Sequence, residues 1–162
     1  MDNRNGQVRR LTQGAVIAAL YVVLTMVFAP ISFGPMQVRI AEALTILPPF
    51  TPAAVPGLFI GCLLANILGG AIIWDVIFGS LATLIGAFLG YILRKNRWLV
   101  PIPAVLSNTV IVPLVLRYGY GLEDPLAALM LYVAAGEILS CYVLGELLAT
   151  LLSRYRYLFP GK

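Results

Sequence analysis

The stretch Gln37-Val38-Arg39-Ile40-Ala41-Glu42-Ala43-Leu44-Thr45-Ile46-Leu47-Pro48-Pro49 decides how this chain is read, because it sets a cation and a carboxylate at the head of a long charge-free run. Their spacing of three residues is about one helical turn. From Ala43 to Trp74 no charge occurs, and these 32 residues would reach ~48 Å as one helix against a hydrocarbon core of ~30 Å. The run must fold back, and Pro48, Pro49 and Pro52 supply the break. An ionisable pair beside such a run is costly unless it is paired, hydrated or bound to something, so Arg39 and Glu42 are candidate functional residues.

Composition agrees with a membrane setting. Of 162 residues, 60% are hydrophobic and 11% charged, with a mean hydropathy of +0.94; soluble domains carry about 25% charged residues. The apolar segments are long and continuous rather than alternating, which excludes a strand barrel. The fold class expected is an all-α integral membrane protein, one domain over residues 1–162, with a cytoplasmic segment 1–10, a six-helix bundle 11–152 and a cytoplasmic tail 153–162. The spans expected are Leu11 to Ala29, Met36 to Phe50, Pro52 to Gly70, Val76 to Leu93, Trp98 to Leu116 and Pro125 to Leu152. Local bends are expected at Pro101, Pro103 and Pro113.

The net charge of +4 sits at segment ends and forms no stripe, so no nucleic-acid partner is expected. Arg4, Arg9 and Arg10, then Arg94, Lys95 and Arg97, then Arg154, Arg156 and Lys162 fall on one side of the six spans, and Arg117 alone on the other, which places both termini in the cytoplasm. The polar start and the absence of a small-residue cleavage site lead to a retained first span rather than a removable signal. Cys62 and Cys141 show no metal or redox spacing and are read as packing residues; no metal site and no cofactor are expected.

Depth follows from the helical rise. Glu42 lies ~9 Å below the outer face, Glu137 ~16 Å and Asn66 again about 9 Å, while Asn108 falls near the midplane. Glu42, Asn66 and Glu137 therefore share a layer in the outer half, as a pocket for a small polar solute would require. Glu146 lies near the cytoplasmic interface, on the face opposite Glu137. Small residues recur every four positions along Gly57, Gly61, Ala65 and Gly69, along Ala82, Gly86 and Gly90, and along Gly14, Ala15, Ala18 and Ala19, which permits close helix packing and, on the first span, a partner helix. There are no histidines, no phosphate-binding Gly-rich loop and no nucleophile with a base, so the chain is not expected to be an enzyme.

The run from Gln37 to Pro48, the run Phe50-Thr51-Pro52-Ala53-Ala54-Val55-Pro56-Gly57-Leu58-Phe59-Ile60-Gly61-Cys62-Leu63-Leu64-Ala65-Asn66, the run Asp75-Val76-Ile77-Phe78-Gly79-Ser80-Leu81-Ala82-Thr83-Leu84 and the pair Gly136-Glu137 resemble the QueT family. These are the substrate-binding S components of energy-coupling factor (ECF) transporters assigned to queuosine precursors. The resemblance implies a six-helix S-component bundle in the cell membrane that captures a precursor from outside for ATP-driven import. The partners it implies are a membrane coupling protein, docked through Ala15 and Ala19, and two ATPase subunits. It also implies a gate in the loop from Pro30 to Pro35.

Set against a 7-deazaguanine base such as the aminomethyl precursor or queuine, Glu137 would accept from N1–H and the exocyclic amine, and Asn66 would donate to the carbonyl. Glu42 would meet a cationic arm with Arg39 orienting it, although the two glutamates could be exchanged. Trp74, Tyr132 or Phe33 would cover the ring, with Asn108 as a further binding residue. Alternatives are an S component for another vitamin or nucleobase, or a membrane scaffold protein.

Overall fold

The computed structural model describes residues 2–34 and 37–154, with the backbone alone for Asp2 and Asn3; Pro35, Met36, Arg156 and Lys162, which the sequence reading used, lie outside them. Seven α-helices and no strands occur among the described residues: α1 (Asp2–Val27), α2 (Ala29–Ser32), α3 (Ala54–Leu68), α4 (Ile73–Ile92), α5 (Ile102–Leu114), α6 (Leu126–Glu137) and α7 (Gly145–Ser153). A π-helical turn, Ile138–Leu144, joins α6 to α7, and another, Val115–Gly119, extends α5. With these joins, four helices are long and apolar enough to cross a membrane: Arg4–Val27, Ile73–Ile92, Arg97–Gly119 and Leu126–Ser153. The shorter α3 is also apolar.

The small-residue ridges explain the packing. A Cβ on Gly57 would lie 2.7 Å from the Gly14 carbonyl oxygen, and one on Gly61 would lie 2.7 Å from Tyr21 Cβ. These glycines let α1 and α3 run side by side with their backbones nearly touching. A Cβ on Gly86 would meet Ala104 Cα at 2.6 Å, so α4 and α5 pack in the same way. The first-span stripe divides between two faces: Gly14 and Ala18 turn towards α3, while Ala15 and Ala19 are exposed.

The second segment departs from the expected helix. Residues 37–39 have no regular structure, with Arg39 extended, and Ile40–Ile46 form a 3-10 helix whose residues from Ala41 to Ile46 are all buried. Pro48 and Pro49 supply the reason. In an α-helix the carbonyls of Leu44 and Thr45 would need the N–H groups of residues 48 and 49, which proline lacks. Leu44 O instead accepts from Leu47 N at 2.9 Å, and Leu47 O accepts from Phe50 N at 2.8 Å, the tighter three-residue ladder.

The segment begins where Arg39 Nε donates to Ser32 O at 3.4 Å and ends where Thr51 Oγ1 donates to Gln13 Oε1 at 2.9 Å. Ile17, Tyr21, Ala41, Leu44, Leu58, Cys62 and Ala65 form the main apolar core around it. Pro113 lies inside α5, two residues before the π-helical turn that begins at Val115. The expected loop from Pro30 is in part the short helix α2.

Candidate functional site

An interior segment free of the α-helical ladder can aim charged side chains at the middle of the bundle, and this one does. Arg39, Glu42, Asp75 and Glu137 are each no more than 3% exposed. Burial of this kind demands partners, because an unpaired charge or polar atom away from water is costly.

Glu42 sits in the first turn of the 3-10 helix. Tyr21 on α1 donates its hydroxyl to Glu42 Oε1, and Thr83 Oγ1 on α4 lies 3.1 Å from the same oxygen. The other oxygen, Oε2, is buried without a hydrogen-bond partner. Thr45 Oγ1 donates to the Glu42 carbonyl at 2.6 Å and stands 3.5 Å from Cys141 Sγ. Cys141 in turn donates to Glu137 Oε2 at 3.2 Å, and the buried Asn108 side chain is an electrostatic neighbour of Glu137. Ligating atoms of Glu42, Glu137 and Cys141 all lie within 4.8 Å of one another. Such a trio is one ligand short of a closed tetrahedral zinc set.

A second group lies towards the end of the bundle that holds Gly70. Arg39 Nη2 is 3.7 Å from Asp75 Oδ2, Nη1 is 3.7 Å from Cys62 Sγ, and the guanidinium carbon stands 5.6 Å over the Phe33 ring. Asp75 lies in the first turn of α4, where the helix dipole favours a carboxylate. Tyr120 donates to Asp75 Oδ2 at 3.3 Å, and Asn66 Nδ2 donates to the Asp75 carbonyl at 3.2 Å. Gly79 makes room for this: a Cβ there would lie 2.9 Å from Asp75 Oδ1 and 3.3 Å from Asn66 Nδ2. Thr83 Oγ1, 3.4 Å from Cys62 Sγ, links the two groups. Arg39 Nη2, Asn66 Oδ1 and Asp75 Oδ1 are buried without hydrogen-bond partners.

Of the residues singled out in the sequence, Glu42, Glu137, Asn66, Arg39 and Asn108 thus belong to one connected cluster, and Phe33 joins it through Arg39. Two points differ from the reading. Arg39 pairs with Asp75, not Glu42, because its extended backbone removes the helical-turn geometry that would have brought the two together. Trp74, 55% exposed, and Tyr132, 42% exposed, lie on outward faces. Trp74 stacks on Phe78 at 6.0 Å and lines an apolar groove of about 500 Å³ with Ile111, Leu114 and Tyr118. Glu146 stands apart from Glu137 as expected, held by Arg97 Nε at 2.5 Å.

Tyr21, Thr45, Cys62, Asp75, Thr83 and Cys141 were not singled out as site residues. The signal was present: Cys62 and Asn66, Glu137 and Cys141, and the series Asp75, Gly79 and Thr83 each repeat at four residues, which puts them on one helix face.

A family model described as "QueT transporter" matches residues 11–154. The curated "Queuosine precursor transporter QueT" of Lactococcus lactis subsp. cremoris (strain MG1363) is 42% identical over 82 residues, covering 49% of this chain and 47% of that protein. The chain thus spans about half the length of that relative. No solved structure matches.

Proposed function

The chain belongs to the QueT transporter family, and from that premise we propose that it is a membrane subunit that captures a queuosine precursor from outside for import driven by an ECF module. Its six membrane segments are the four long helices, the short α3 and the interior segment around the 3-10 helix, with both termini cytoplasmic as the Lys and Arg distribution favours. ATP hydrolysis belongs to partner subunits, and no enzymatic step is assigned to this chain.

The observation that carries the reading is the set of unfilled buried atoms. Glu42 Oε2, Asn66 Oδ1, Asp75 Oδ1 and Arg39 Nη2 lack hydrogen-bond partners within one cluster. That set is three acceptors and one donor, and a 7-deazaguanine base offers the complement: N–H donors along one edge and a carbonyl beside them. Arg39 Nη2 meets the carbonyl, Asn66 and Asp75 accept from the base N–H groups, and Asn108 orients Glu137. Phe33, stacked on Arg39, supplies the aromatic cover that Trp74 and Tyr132 are too far outward to give. Docking on the coupling protein uses the exposed face of α1 with Ala15 and Ala19.

Titration of the purified full-length chain with 7-aminomethyl-7-deazaguanine by calorimetry tests this reading. One saturable site is the expected result; heat indistinguishable from buffer overturns it.

A further inference from the structure

Charge in the cluster is unbalanced. Among the described residues, the buried charged side chains are one guanidinium, Arg39, and three carboxylates, Glu42, Asp75 and Glu137. The charge of Arg39 is offset by Asp75, whose Oδ2 stands 3.7 Å from Nη2 without a hydrogen bond, and Phe33 covers its face. This leaves Glu42 and Glu137 with oxygens within 4.8 Å of each other. Their neighbours are neutral, namely Tyr21 and Thr83 as donors to Glu42, and Cys141 as donor to Glu137 with Asn108 beside it. Glu42 Oε2, fully buried, has no partner.

Two carboxylates so near each other in a water-poor interior repel unless one of them takes up a proton or a cation lies between them, and a cation satisfies both at once. We propose that Glu42 and Glu137 together form a seat for a single ammonium group of the bound solute, so that the site selects a cationic precursor against a neutral one of the same ring. The sequence reading gave each glutamate a separate ligand group; their proximity gives them one in common. An ammonium has three donors in a compact head, enough to reach Glu42 Oε2, a Glu137 oxygen and one further acceptor. The ring then extends from the seat towards Asn66, Asp75 and Arg39. This inference rests on the capture of a deazaguanine proposed above, and narrows it to ligands with a protonated amine.

The test compares two ligands that differ in charge at one position. The full-length chain is titrated with 7-aminomethyl-7-deazaguanine and with 7-cyano-7-deazaguanine, and the cationic compound is expected to bind about 30-fold tighter or more, as for a buried charge pair with one partner removed. In Glu42→Gln/Glu137→Gln the ratio of the two affinities is expected to fall to about one. Equal affinities in the unaltered chain, or a preference that survives the double substitution, overturn the seat but leave deazaguanine capture standing. Failure of both ligands to bind the unaltered chain overturns both.

Discussion

Arg39 and Asp75, 3.7 Å apart and almost fully buried, tie the entry of the interior segment to the first turn of α4. Through Phe33 on one side and Tyr120 on the other, the pair connects two loops at the same end of the bundle. Removing one partner leaves a buried charge uncompensated, which costs about 3–5 kcal/mol. Asp75→Asn is therefore expected to lower the thermal midpoint in detergent strongly. Adding Arg39→Gln should recover part of the loss, so the double variant melts above Asp75→Asn alone.

The contact between α1 and α3 leaves no space for side chains at Gly57 and Gly61. Overpacking costs roughly 1–3 kcal/mol for each added group that neighbours cannot absorb. Gly61→Val should lower the thermal midpoint and the yield of monodisperse protein. Ala19→Val, on the exposed face of the same α1 helix, should leave both unchanged.

Ala15 and Ala19 face away from the bundle, so bulk added there should not disturb the interior cluster. Ala15→Trp/Ala19→Trp is expected to bind a deazaguanine like the unaltered chain and to lose co-purification with the coupling protein. Retention of the complex in a pull-down would remove this face from the docking role.

Tyr21 and Glu42 come from elements distant in sequence, and the tyrosine hydroxyl fixes one carboxylate oxygen so that the other is left free. Tyr21→Phe should weaken ligand binding by about tenfold, the typical worth of a hydrogen bond to a charged group. Calorimetry would show it, and the thermal midpoint without ligand should shift little because Thr83 still reaches the same oxygen.

Much of this was legible in sequence because a membrane makes charge conspicuous. Glu42, Glu137 and Asn66 stood out in an apolar background, and counting residues along helices placed them in one layer, where the structure joins them through Cys62, Thr83, Thr45 and Cys141. The four-residue glycine spacing likewise marked real helix contacts at Gly57, Gly61 and Gly86. What escaped was pairing between elements. Asp75 was not singled out, since its partner Arg39 lies far earlier in the chain and is reached only because Arg39 is extended. The 3-10 ladder was implicit in Pro48 and Pro49, whose missing N–H groups bar an α-helix at Leu44 and Thr45, but the apolar run around them masks that local rule.

Capture of a deazaguanine by the buried cluster is the central claim, and a competition reads it most directly. The full-length chain is incubated with an equimolar mixture of 7-aminomethyl-7-deazaguanine, guanine, thiamine and riboflavin, freed of excess ligand, and its retained small molecule identified by mass spectrometry. Retention of the aminomethyl deazaguanine alone is the predicted result. Retention of any of the other three in its place, or of none of the four, would contradict the account.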